Sequence, residues 1–139
     1  METVNNSSQS LAVHTCEILG KYPDLNDMIA AANKHWHVYK NMKKNAQCRI
    51  SWFLHSLPQI RRPVKIHFIW HEADYSRDPD NVSAASKFII DELVRLRKIQ
   101  NDSARCIKGI HHDYAYGGQY KVTVYLEEIK RSTLNERRI

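Results

Sequence analysis

Cysteine is scarce in this chain. Cys16, Cys48 and Cys106 are three among 139 residues. They are odd in number, widely spaced and part of no metal or redox motif, which excludes a disulfide scaffold and a cysteine zinc site. Buried or idle thiols in a reducing cytoplasm fit this usage. Glycine and proline number four each, too few for a linker that would divide the chain, and there are no repeats. No apolar run approaches membrane-spanning length, and the first ten residues lack an apolar signal core. The expectation is one cytoplasmic domain with a true core, since 42% of residues are apolar. Eight histidines raise the question of zinc. His35 and His37 point apart on a helix, and His111 and His112 face opposite sides of a strand. Zinc is not expected from either pair; DNA contact or surface exposure is.

What is present in excess is positive charge. The formal net charge is +6 and the pI near 9.3, which favours polyanionic partners. The cations cluster: Lys40, Lys43, Lys44 and Arg49; Arg61, Arg62 and Lys65; Arg95, Arg97 and Lys98; Arg105 and Lys108. Such clusters bind backbone phosphates with salt-sensitive affinity.

Set into this basic chain is Arg77-Asp78-Pro79-Asp80-Asn81. Alternate residues of an extended backbone share a face, so Asp78 and Asp80 can converge on one hard cation. A third acid follows in Asn101-Asp102-Ser103. Three carboxylates around Mg²⁺ or Mn²⁺ in a basic protein suggest phosphodiester chemistry. The pentapeptide also looks like a helix start capped by Asp80 or Asn81, and taken alone it favours capping. The wider constellation reverses that preference.

Val82, Ala85, Ile89, Leu93 and Leu96 recur at spacings of three and four, which predicts an amphipathic helix over 82–96. Asp80, Ala84, Lys87 and Asp91 form a second stripe that stacks Lys87 over the acidic start of the helix. Lys87 and Asp91 are also spaced for an ordinary ion pair.

Taken in order, Arg77-Asp78-Pro79-Asp80-Asn81, Lys87-Phe88-Ile89-Ile90-Asp91-Glu92-Leu93 and Ile99-Gln100-Asn101-Asp102-Ser103 resemble the RusA-type Holliday junction resolvases. Tyr22-Pro23-Asp24-Leu25-Asn26-Asp27-Met28-Ile29 and Tyr39-Lys40-Asn41-Met42-Lys43-Lys44 resemble the phage and prophage branch of that family. The likeness runs from about Val13 to Glu128. It implies a Mg²⁺-dependent endonuclease, with Mn²⁺ as a substitute, acting as a homodimer on four-way branched DNA. Asp78, Asp80 and Asp102 match the family's catalytic, metal-binding acids. Lys87 matches its catalytic lysine, and Asp91 another recurrent acid; Asp91 and Asn101 would support the ligands. Arg77, Lys43, Lys44, Arg105 and Lys108 are the expected DNA contacts. Two departures stand out. Lys87 lies three residues farther from Asp80 than in the best-studied members, and position 101 is Asn where they carry a second Asp.

The expected architecture is a single α+β domain with one mixed sheet and packed helices, in the order β-α-β-α-β-β. Residues 1–10 are expected to be disordered, 11–128 to form the nuclease domain, and 129–139 to be a basic tail, read as a helix, a DNA-binding arm or disorder. The first strand is expected over 11–19, a helix from about Asp27 to Ser56 with a break near His35, and a half-buried strand from Val64 to His71. A further strand is expected over about 105–114, a tight hairpin turn at Gly117-Gly118, and a last strand through Tyr120, Val122, Val124 and Leu126. Strand order is not derivable from the sequence. Trp52, Phe53 and Leu54 cannot all be buried by one helix face, which leaves surface for a partner subunit. Two other functions compete: DNA or junction binding without cleavage, and metal-dependent hydrolysis of a small phosphate ester.

Overall fold

A computed structural model of the chain describes residues 10–131. The expected disorder over 1–10 lies outside those residues except at Ser10, which begins the first strand, and the expected tail over 129–139 is described only for 129–131, where Ile129 ends the last strand. Strand β1 (Ser10–Leu19) turns Cys16 and Ile18 inward and ends at Gly20, whose φ of +112° suits glycine. A Cβ there would also run into the Arg49 guanidinium.

Helix α1 (Leu25–Lys34) opens on a reciprocal cap. Asp24 accepts from the Asp27 amide at 2.9 Å, and the Asp27 carboxylate accepts from the Asp24 amide at 3.0 Å. His35 is extended and breaks the helix where expected; α2 (Trp36–Leu54) then begins. No cation lies in the last turn of α2. Lys98 supplies one from a distant loop, donating to the Leu57 carbonyl at 2.6 Å.

Strand β2 (Val64–Glu72) alternates as expected, with Val64, Ile66, Phe68, Trp70 and Glu72 buried. The predicted helix over 82–96 is in two pieces, α3 (Pro79–Ser83) and α4 (Ser86–Arg95). Between them the winding tightens: Lys87 donates to the Ala84 carbonyl and Phe88 to that of Ala85, both three residues back. The Ser83 hydroxyl returns to the Asp80 carbonyl at 3.3 Å, a local bond that bends helices.

Strands β3 (Ile107–Tyr116) and β4 (Lys121–Ile129) follow. The sheet order is β1-β4-β2-β3, with β2 and β3 parallel and the other pairings antiparallel. The mixed sheet of an α+β domain is therefore present. Gly117-Gly118 is not the expected hairpin turn, because β2 lies between β3 and β4. The Gly117 amide instead bonds the Glu72 carbonyl at 2.9 Å, and 117–120 cross the end of β2. Two strand spacings, about 10 Å, are within reach of so short a segment. Burial explains the order. Val122, Thr123, Val124 and Leu126 are buried, and a strand with such a run belongs inside a sheet, whereas β3 has Ile110 half-exposed and takes the edge.

The helices cover one face of this sheet. Phe68, Leu126 and Val124 pack there with Phe88, Ile89 and Leu93 of α4 and Ile50 and Leu54 of α2. The opposite face, with Val13, Lys65, His67 and His111, is left open by the described residues. Of the three consecutive apolar residues at the end of α2, Leu54 is buried, Phe53 packs on the core edge and Trp52 is 76% exposed.

The segment after β2 is pinned by Arg77. Its guanidinium grips the buried Glu72 carboxylate through two hydrogen bonds of 2.9 and 2.8 Å. It also donates to the Tyr22 carbonyl at 2.8 Å and lies over the Tyr120 ring. The Glu72 bonds above all raise the Arg77 pKa. Arg77→Met leaves Glu72 buried and unpaired, so it should cost about 3–5 kcal/mol in urea unfolding. Arg77→Lys should recover only part, because an ammonium cannot reproduce the fork.

Candidate active site

Pro79 occupies the first helical position of α3 and puts Asp78 at its N-cap, with extended dihedrals. The Asp78 side chain nonetheless makes no capping bond; the backbone carbonyl of Asp78 takes the amides of Asn81 and Val82. Asp80 is already in the first helical turn. The extended-backbone premise for pairing the two acids therefore holds for Asp78 alone. Both side chains are exposed, and neither takes part in an ion pair among the described residues.

Lys87, one residue into α4, is the hub of a charged cluster. Its Nζ is 3.0 Å from Asp91 Oδ1 and 3.8 Å from Asp102 Oδ2. Asp91 is shared with Lys43 of α2, at 3.2 Å. The hydrogen bond that Lys87 donates to Asp91, then the charges of Asp91 and Asp102, raise the Lys87 pKa. Asp102 sits in the loop before β3, where its amide bonds the Asn101 side chain at 2.7 Å. Asn101 thus orders the backbone of its neighbour. The stripe expected from the sequence holds Lys87 and Asp91 as an ion pair. Seven residues of helical rise, about 10 Å, separate Asp80 from Lys87 along the chain.

Lys87, Asp102, Ile107, Lys108 and Ile110 line an open groove of about 510 Å³. A second groove, on the face of α2 beside α4, is lined by Lys40, Lys43, Lys44 and Arg95. Lys44, Arg105 and Lys108 are exposed. Arg77 is not: its side chain is 11% exposed and consumed by Glu72 and Tyr22. Its place among the DNA contacts is withdrawn, because the sequence showed its charge and not the buried partner. Arg95 and Lys98, from the basic clusters, likewise hold Glu92 and the end of α2.

The oxygens of Asp78, Asp80 and Asp102 do not form a mutual cluster. Among the described residues, the one group of three potential metal ligands within 4.8 Å of one another is His67, His111 and Asp113. It was missed in the sequence because its members meet only through the β2–β3 register; alternation placed each on a strand face, and pairing was unknown. A second feature had no sequence signal. Tyr75, exposed in the segment leading to Asp78, lies 4.5 Å from the Tyr116 ring by centroids.

The chain matches no protein-family model and no curated protein. Among the described residues, no helix is long and apolar enough to cross a membrane.

Because Lys87 is raised, its ammonium persists to higher pH than a free lysine, and whatever the pair contributes is lost as pH rises through that value. Asp91→Asn removes the largest cause. NMR titration of the Lys87 side chain should then show its pKa falling toward the ordinary lysine value.

Proposed function

We propose that this protein is a Mg²⁺-dependent endonuclease that nicks four-way DNA junctions, using Asp78, Asp80 and Asp102 as acids and Lys87 as the cation. The observation that carries the reading is the approach of Lys87 to Asp102 across 15 residues of sequence, at 3.8 Å. The order and spacing of the acids and lysine resemble one nuclease family, and this contact joins two of those elements. An Asp78 carboxylate unused as a cap adds support.

The donor set fits the ion. Exposed carboxylate oxygens without nitrogen or sulfur suit Mg²⁺, which keeps several waters and needs only one or two carboxylates. When bound, Mg²⁺ lowers the pKa of water and neutralises phosphoryl charge. The chain supplies the rest. Asp91 holds Lys87 protonated, and Lys87 stabilises negative charge that develops at phosphorus or on the leaving oxygen. Lys43, Lys44, Arg105 and Lys108 bind backbone phosphates, which fixes register without reading sequence. Paired symmetric nicks need two equal sites, so the active species in this reading is a homodimer.

The spread of the three acids favours one rival, junction binding without cleavage. One gel separates them: synthetic junction against linear duplex, with Mg²⁺ and with EDTA. Nicking of the junction that needs Mg²⁺ supports the enzyme; retention without nicking supports the rival. Asp80→Asn should abolish nicking and leave junction binding intact, since the charge is lost and the helix-start residue type kept. Lys87→Ala should slow single-turnover cleavage by on the order of 10²-fold, with little change in melting, because the side chain is 63% exposed. Light scattering at micromolar concentration should give about twice the 16.3 kDa chain mass.

A further inference from the structure

The open face of the sheet carries a cluster that the nuclease reading does not use. His67 of β2 stands opposite His111 of β3 in the parallel register, and Asp113 follows two residues on, on the same face. Both imidazoles direct Nε2 at one carboxylate oxygen: Asp113 Oδ2 is 2.7 Å from His67 and 3.3 Å from His111. The two rings meet edge to face, 4.9 Å apart by centroids. On its other side His67 lies against the Tyr125 ring of β4, at 5.6 Å.

We propose that His67, His111 and Asp113 bind one divalent transition-metal ion of the Zn²⁺ type, separate from the Mg²⁺ carboxylates. Two imidazole nitrogens and one carboxylate oxygen are a borderline-soft donor set, which Zn²⁺ accepts and Mg²⁺ does not favour. The spacing fits. Ligand bonds of about 2.1 Å in a tetrahedron put donor atoms about 3.4 Å apart. The His111–Asp113 distance of 3.3 Å already meets this. The 2.7 Å His67–Asp113 hydrogen bond must lengthen by about 0.7 Å as the metal takes the place of its proton. The nitrogens and oxygen of all three lie within 4.8 Å of one another, so side-chain rotation suffices.

The surroundings leave room for a fourth ligand. The cluster borders a groove of about 640 Å³ that also includes Val13, Ile69 and Tyr125. His111 and Asp113 are 69% and 58% exposed. Three protein ligands with an open position accept water or an incoming donor. In the sheet, β3 is an edge strand held through β2 alone, so the ion would also fasten that edge by side chains. The proposal needs no DNA and stands whether or not the chain is a nuclease.

The test is calorimetric titration of metal-stripped protein with Zn²⁺ alone, in the presence of excess Mg²⁺. One Zn²⁺ per chain is expected, with a rise in melting temperature. His111→Ala and Asp113→Ala should each remove that binding, while His71→Ala, on the same face outside the cluster, should keep it. Circular dichroism confirms that the variants fold. Co²⁺ should give a visible spectrum without a thiolate charge-transfer band. Absence of Zn²⁺ binding, equal binding by the His111 and Asp113 variants, or a thiolate band implicating Cys48 or Cys106 would each overturn the assignment.

Discussion

The grip of Arg77 on Glu72 is the constraint from which the candidate site follows. Glu72 ends β2 with its side chain facing the core, 4% exposed. A carboxylate cannot stay charged there without a partner. Arg77 must fold back over five residues to supply one, and this fixes the bend through 73–77. The same guanidinium reaches the Tyr22 carbonyl and approaches Asp24, the cap of α1, at 3.9 Å. One cation thereby ties the end of β2, the entry to α1 and the approach to β4. Asp78 follows immediately, so the start of α3 inherits its position from that buried pair.

From there the two helical pieces carry the chain back across the sheet toward β3. The tightened turn at Ala84–Ala85 sets where Lys87 emerges, and Phe88, Ile89 and Leu93 anchor α4 on the covered face. Lys87 is held by a buried helix face while its ammonium faces solvent, Asp91 and Asp102. Charge lies on both sides of it, with Lys43 sharing Asp91. Lys43 and Lys87 thus project from α2 and α4, elements that packing has already made rigid. The acids at the start of α3 are joined to them by that same helical path.

Local patterns in the sequence were sufficient for most elements. Alternation located β2 and β4, the three-and-four spacing located α4, and an extended His35 broke the first helical region as expected. Failures came where partners distant in sequence decide. Gly117-Gly118 has the local chemistry of a hairpin, yet the apolar β4 is drawn between β1 and β2, so the turn became a crossing. Arg77 looked like a phosphate ligand because a neighbour at position 72 could not be known to be buried and facing it. The Asp-x-Asp pair was legible as residues, but Pro79 begins a helix between them and changes the geometry on which their pairing was argued. The approach of Lys87 to Asp102 was not legible, since no periodicity relates positions 87 and 102.

The same reasoning explains why the histidines divide as they do. His111 and His112 are neighbours in sequence and opposites in environment. His112 faces the helices, stacks on Phe68 and accepts from the Trp70 indole at 2.9 Å. Burial lowers its pKa, which keeps the imidazole neutral, as an acceptor of that bond must be. His111 faces the open side and shares Asp113 with His67. Strand alternation foretold the split, but only the parallel register with β2 determines what each ring meets. A one-residue slip of β3 would exchange the two environments, putting an acceptor for Trp70 into solvent and a carboxylate-seeking ring into the core. The Trp70–His112 bond and the His67–Asp113 pair therefore specify the same register from opposite faces of the sheet.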